Sequence, residues 1–314
     1  MISETERLPK LRRYGIPYKG SKNGIAEWVY KHFPKQTNFY DLFAGGCAIT
    51  QIALMKQDFK NYFCNDIDPD GINLFLDAVN GKFKNETRWI SREDFLNSNE
   101  PYVKICWSFG NNLKDYLYSK EIEPWKKALH YARVYKDFSL FEEMGIKLKT
   151  ASSSELRKNE KVIREKYVTW YVKKYFNSDK SIEQLKAILT DKNSLESLRS
   201  LQRLQSLERL SVSNKSYDEV EIIPNSVLYC DIPYYNTNEY VAGGFDHQKF
   251  YKWALRQKEI VVISEYYMPD DFLCIDAIEK SVTLCSGGDV KALEKLFIPR
   301  KQAELYKKLL NKKR

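Results

Sequence analysis

Residues 38–80 read NFYDLFAGGCAITQIALMKQDFKNYFCNDIDPDGINLFLDAVN. The apolar residues change their period along this stretch. NFYDLF is a strand-like run that stops at Gly45-Gly46, CAITQIALMKQ returns at helical spacing, and NYFCNDID is a second strand-like run that ends in acids. PDGINLFLDAVN then opens a helix with Pro69 in its first turn. Strand, glycine turn, helix, strand, acid is the order of a βαβ unit, and it predicts a parallel sheet covered by helices. Upstream, SKNGIAEWVYKHF (21–33) reads as an amphipathic helix. Far downstream lies a second group of strands: SVLYCDIPY (226–234), EIVVISEY (259–266), FLCIDAIE (272–279), SVTLC (281–285) and KLFIP (295–299), with a helix from His247 to Arg256 between the first two. The two groups are expected to complete one α/β sheet.

Between them the pattern changes. Residues 95–211 read as a mainly helical insertion, with residues 1–94 and 212–314 as the core. The chain has 51 basic and 42 acidic residues, a net charge of +9. Residues 1–94 contribute +2 of this, residues 95–211 contribute +7 and residues 212–314 contribute nothing. A near-neutral core carrying a basic insertion suggests an anionic partner held by the insertion, nucleic acid being the usual one. A solvated lysine-rich helical face would show the same balance. The insertion also contains LESLRSLQRLQSLERL, in which Leu195, Leu198, Leu201, Leu204, Leu207 and Leu210 recur at every third position. On a helix of 3.6 residues per turn each such step drifts by about 60°, so the stretch reads as a spacer or a helix buried on several sides.

Several classes are set aside. No apolar run approaches the roughly 20 residues that a membrane span needs, and MISETERLPKLRRYG has no apolar signal core. The six cysteines are scattered without a C-x-x-C pair, which reads as reduced, mostly buried thiols in a cytoplasmic protein. With three histidines in the chain, no metal centre is expected.

Three runs have the composition of a site. Asp41-Leu42-Phe43-Ala44-Gly45-Gly46 places glycines directly after a strand, where the backbone can turn tightly and let a ligand approach; an ordinary strand-to-helix connection would look the same. There is no G-x-G-x-x-G and no G-K-[ST], so phosphate cradling has no support. Asp66, ending the next strand, suits ribose hydroxyls, whereas Asp68 before Pro69 suits a helix N-cap. Tyr229-Cys230-Asp231-Ile232-Pro233-Tyr234-Tyr235 sets a carboxylate at a strand's end beside a proline turn and a flat aromatic, the parts needed to hold a planar amine-bearing base.

Taken in order, Tyr18-Lys19-Gly20-Ser21-Lys22, Asp41 to Gly46, Asp66 and Asp231 to Tyr234 resemble the N6-adenine DNA methyltransferases of the Dam type, which use S-adenosylmethionine. The resemblance continues through Phe245-Asp246-His247 and Ile263-Ser264-Glu265-Tyr266, and less diagnostically through CWSFGNN and YLYSKEIEPWKK of the insertion. It implies a Rossmann-like methyltransferase sheet with an inserted, mainly helical recognition domain. It also implies transfer of a methyl group to a flipped-out adenine in double-stranded DNA, with a cognate restriction endonuclease as a partner such enzymes can have. One position departs: the family's Asp-Pro-Pro-Tyr has Ile232 in place of its first proline. The main-chain carbonyl thought to serve there is kept, while the fixed φ near −65° is lost, so activity is expected to be retained on a less pre-organised loop.

By the same resemblance, Tyr18, Lys22, Asp41, Phe43, Gly45, Asp66, Asp218 and Asp231 would line the cofactor site. Lys22 would suit the methionine carboxylate and Asp66 the ribose. Asp231, Ile232, Pro233 and Tyr234 would form the catalytic loop. In the insertion, Lys158, Lys161 and Arg164 share a spacing of three and run toward Lys173 and Lys174, which would face DNA phosphates. An RNA or protein-amide acceptor, and a DNA-binding relative whose catalysis has decayed, are the competing expectations.

Overall fold

A computed structural model describes residues 14–144, 194–201, 204, 207–235, 244–283 and 289–311. The chain divides into two compact units, residues 1–83 with 197–314, and residues 84–196.

The first unit is built on seven strands: β1 (Asn38–Asp41), β2 (Asn61–Asn65), β3 (Leu210–Ser213), β4 (Ser226–Asp231), β5 (Ile260–Glu265), β6 (Phe272–Thr283) and β7 (Asp289–Pro299). Their order across the sheet is β3-β2-β1-β4-β5-β7-β6. The first five run parallel, and β7 is antiparallel to both β5 and β6. The chain steps outward from β1 through β2 to β3, then returns to start again at β4 on the other side of β1. Strand order therefore reverses between β1 and β4, and in open α/β sheets ligands bind outside the carboxyl ends of the strands at such a reversal.

Alternation along the strands explains why the sheet is buried on both faces. Phe39, Val227, Tyr229, Ile260, Val262 and Ile298 enter one core cluster, with α1 (Ala26–Lys31), α2 (Ala48–Lys56) and a C-terminal helix (Ala303–Asn311). Tyr40, Leu228, Cys230, Val261, Ile263 and Phe297 point the other way, against the helix His247–Arg256. Near-continuous apolar runs such as Ile260-Val261-Val262-Ile263 are what a two-sided parallel sheet requires.

The strand-like runs and the helix at His247–Arg256 lie where the sequence places them, with three differences. FLCIDAIE and SVTLC join into the single strand β6, bulged between Cys274 and Asp276, and KLFIP is the end of the longer β7. The expected helix over 21–33 shrinks to α1. Gly20, at φ 72°, and Gly24 leave the preceding backbone free to turn, and Lys22 accordingly sits in a loop. The leucine repeat is not one helix: a helix spans Ser194–Ser200, Leu207–Arg209 is a 3₁₀ turn, and Leu210 opens β3. A three-residue period suits 3₁₀ turns, and the amide of Leu204 bonds the carbonyl of Leu201 at 2.9 Å. Leu198 and Leu201 are buried, while Leu204, Leu207 and Leu210 pack on the sheet core. The two compact units meet along the chain at 83/84 and 196/197. At this junction Arg199 Nε bonds the carbonyl of buried Phe83 at 3.2 Å.

The second unit contains short helices at Arg92–Asn97, Pro101–Cys106, Glu123–Val134 and Ser139–Glu143. An aromatic group, with Trp89 stacked on Tyr118 and Trp107 and His130 edge-on to Trp89, packs within it. Among the described residues no helix is long and apolar enough to cross a membrane. Cys47, Cys64, Cys106 and Cys230 are buried free thiols and Cys274 is an exposed one; Cys285 lies outside the described residues.

Candidate active site

The turn after β1 is packed backbone against backbone. Gly45 has φ 46°, and its amide bonds Asp66 Oδ2 at 2.7 Å. The helix α3 (Pro69–Val79) approaches so closely that a Cβ on Gly71 would lie 2.2 Å from the Gly45 carbonyl oxygen. On the other side is Tyr18: a Cβ on Gly46 would lie 2.6 Å from its Cβ, and one on Gly45 would lie 3.2 Å from its ring. Glycine here is therefore demanded by contact on two sides.

Asp66 and Asp68 divide their work. Asp68 caps α3, accepting the amide of Asp70 at 3.0 Å, with Pro69 in the first turn. Asp66 is left to hold the Gly45 amide and, through Oδ1, the Asp68 amide at 3.0 Å. Burial raises its pKa, although these main-chain bonds oppose the rise. Between the two acids Ile67 is 76% exposed, an apolar side chain beside a carboxylate.

Asp41 ends β1 and is buried. Its Oδ2 accepts the amide and hydroxyl of Thr50 at 3.1 and 2.7 Å, while Oδ1 is buried without a partner among the described residues. Burial pushes its pKa up to about 7; the Thr50 hydroxyl works against this, and the charges of Asp231 and Asp66 add to it.

Across the strand reversal lies the second half of the site. Lys22, only 4% exposed, holds Asp231 through both carboxylate oxygens, at 2.7 and 2.8 Å, and sits 4.7 Å above the centre of the Tyr234 ring. Burial alone would lower the Lys22 pKa, but Asp231 and then Glu294 outweigh it and raise the value, so the ammonium stays charged. The carboxylate that meets this ammonium belongs to the catalytic loop expected from sequence. Tyr234 donates its hydroxyl to Glu294 and meets Tyr266 edge-on at 4.5 Å. Ile232 is buried in the core cluster containing Cys230 and Phe250, which is the use made of its side chain where the family has proline. The Pro233 carbonyl is held by His247 Nε2 at 2.8 Å. Glu265, ending β5, accepts the amides of Tyr235, at 2.6 Å, and Tyr266. Burial pushes it up to about 7 against those two bonds, with Glu294 and Asp231 adding to the rise.

Phe43 stacks on Tyr217 at 5.3 Å and meets Phe245 and Phe250 edge-on. Asp218 pairs with Lys249 at 2.6 Å and accepts the Ser216 hydroxyl, contacts that hold it below the usual carboxylate range. Lys158, Lys161, Arg164, Lys173 and Lys174 lie outside the described residues.

Three members of this edge were not singled out from sequence. Thr50 lies inside an ordinary helical run. Glu294 lies in LEKLFIP, where nothing in the spacing separates it from a surface acid. Asn65 ties the Leu42 and Lys215 carbonyls at 3.1 and 3.0 Å and so joins the loops after β1 and β3. Its position beside Asp66 was its one visible signal.

Two comparisons bear on this arrangement. Over a stretch of 118 residues, 37% of each chain, the protein is 29% identical to the retron Ec67 DNA adenine methylase of Escherichia coli. That stretch is well under two thirds of the relative's length. The model of the D12 class N6 adenine-specific DNA methyltransferases matches residues 18–252, from the Tyr18 that borders the glycine turn, through Asp41, Asp66 and the Asp231 loop, to the helix behind it; the chain belongs to this family.

Proposed function

We propose that the protein transfers the methyl group of S-adenosylmethionine to the N6 amine of an adenine in double-stranded DNA. The observation that carries this reading is the group at the strand reversal: Asp231 at the end of β4, gripped by buried Lys22 and followed by the Tyr234 ring. The residues fit the cofactor. Asp41 offers a buried acceptor oxygen that has no partner among the described residues, and Asp66, with exposed Ile67 as an apolar surface beside it, would accept the ribose hydroxyls. The surrounding carboxylates favour a sulfonium cation. Tyr18, Phe43, Gly45 and Asp218 complete the expected set.

The cofactor supplies an electrophilic methyl group, so the protein need provide neither metal nor covalent intermediate. An aromatic amine is a poor nucleophile because its lone pair is delocalised into the ring. Hydrogen bonds from that amine to the Asp231 carboxylate and the Ile232 carbonyl favour a pyramidal nitrogen with a localised lone pair. Asp231 also takes up the proton that the amine sheds on methylation. Tyr234 stacks on the adenine, which must leave the duplex to be reached. Rate then comes from orientation and fixed charge. The insertion, with Lys158, Lys161, Arg164, Lys173 and Lys174, reads the target and holds its phosphates.

The test is incubation of the protein with methyl-labelled S-adenosylmethionine and adenine-unmethylated genomic DNA. Label is expected in N6-methyladenine within one short motif. Label in RNA or protein alone would overturn the acceptor. Cofactor binding without transfer to any of them would overturn catalysis.

A further inference from the structure

Glu294 is 0% exposed, on β7, which runs antiparallel to both β5 and β6. Lys295 pairs with Glu265, so the chain direction of β7 delivers Glu294 to the edge at which the parallel strands end. One of its oxygens, Oε1, accepts the Tyr234 hydroxyl and lies 3.7 Å from Lys22 Nζ. The other, Oε2, is buried and meets no partner among the described residues. A buried carboxylate that served packing alone would have both oxygens satisfied, because each unsatisfied one costs stability. Lys22 is thus shared between two acids, one that leads the catalytic loop and one that does not.

We propose that Glu294 is a positioning residue for methyl transfer. It fixes the Tyr234 ring through its hydroxyl, and as second counter-charge to Lys22 it keeps that ammonium from neutralising Asp231, whose carboxylate then remains a strong acceptor for the target amine. This inference rests on the methyltransferase reading above.

Glu294→Gln preserves size and an acceptor oxygen while removing the charge. In this variant kcat should fall by at least about tenfold, while KM for DNA and the calorimetric Kd for S-adenosylmethionine stay within about threefold. Tyr234→Phe, which keeps the ring, should lower kcat likewise, and the double variant should lose less than the product of the two single losses, since both act through one contact. A kcat within about twofold of the native value in Glu294→Gln would overturn the proposal, as would a loss of cofactor affinity as large as the loss of kcat. Should Glu294→Gln fail to fold, native kcat in Tyr234→Phe would overturn the link to the ring. A native protein that labels no DNA overturns the methyltransferase reading together with this inference. Equal transfer by native protein and Glu294→Gln overturns this inference alone.

Discussion

Asp231 is held by buried Lys22, and removing it leaves Glu294, at 3.7 Å, as the carboxylate described beside that ammonium. Asp231→Ala should lower kcat by at least about 100-fold with duplex affinity largely kept, as measured by label transfer and by DNA titration. Substantial residual turnover would remove Asp231 from the chemistry. Asp41 makes a different prediction, because its pKa of about 7 lies above that of an unfolded aspartate. The folded form keeps its proton longer, so this group's contribution to stability is present at low pH and is lost as pH rises from about 4 to about 7. Cofactor affinity should move the opposite way, rising through about pH 7 as Oδ1 becomes a full anion. Calorimetry from pH 5.5 to pH 8.5 would show this, and Asp41→Asn should flatten the profile. A native profile already flat would detach Asp41 from the ligand. At Gly71 the limit is contact: a methyl group 2.2 Å from the Gly45 carbonyl must push the glycine turn aside. Gly71→Ala should therefore weaken S-adenosylmethionine binding by more than about tenfold, and unchanged binding would show that the turn can move at no cost.

At the scale of elements, the parallel strands bring the site together by ending at one edge. β1 supplies Asp41, β2 leads to Asp66, β4 supplies Asp231 and β5 supplies Glu265. Registers Asp41↔Tyr229 and Asp231↔Ser264 fix their heights. That edge depends on the core beneath it. Leu228 is fully buried in β4, so Leu228→Ala should cost about 2–5 kcal/mol in denaturant unfolding. Leu293, next to Glu294 but 47% exposed, should cost no more than about 0.5 kcal/mol on the same change. Comparable losses at both positions would contradict the alternation on which the two-sided core rests. Much of this element pattern was legible beforehand because strand and helix periods are local properties. The short α1 and the divided leucine repeat were not, since each depends on which neighbours the backbone meets.

At the scale of the whole molecule, the excess positive charge of residues 95–211 is the electrostatic argument for DNA. Changing Lys158, Lys161 and Arg164 together to Ala should reduce the slope of log affinity against log salt by about 2–3, if each meets one phosphate. A slope equal to that of the native protein would return that stretch to a solvated face.

The amino-acid sequence by itself determined the βαβ grammar, the acids at the strand ends, the cap at Asp68 and the ordered runs that mark the family, because each is written in adjacent residues. Tertiary structure alone decided that Lys22 grips Asp231, 209 positions away, and that Asp41 has a buried oxygen with no partner among the described residues. It also decided that Glu294 reaches Tyr234 from an antiparallel strand. Those outcomes depend on strand order and direction, which set which distant charges share a desolvated edge, and no local pattern encodes that.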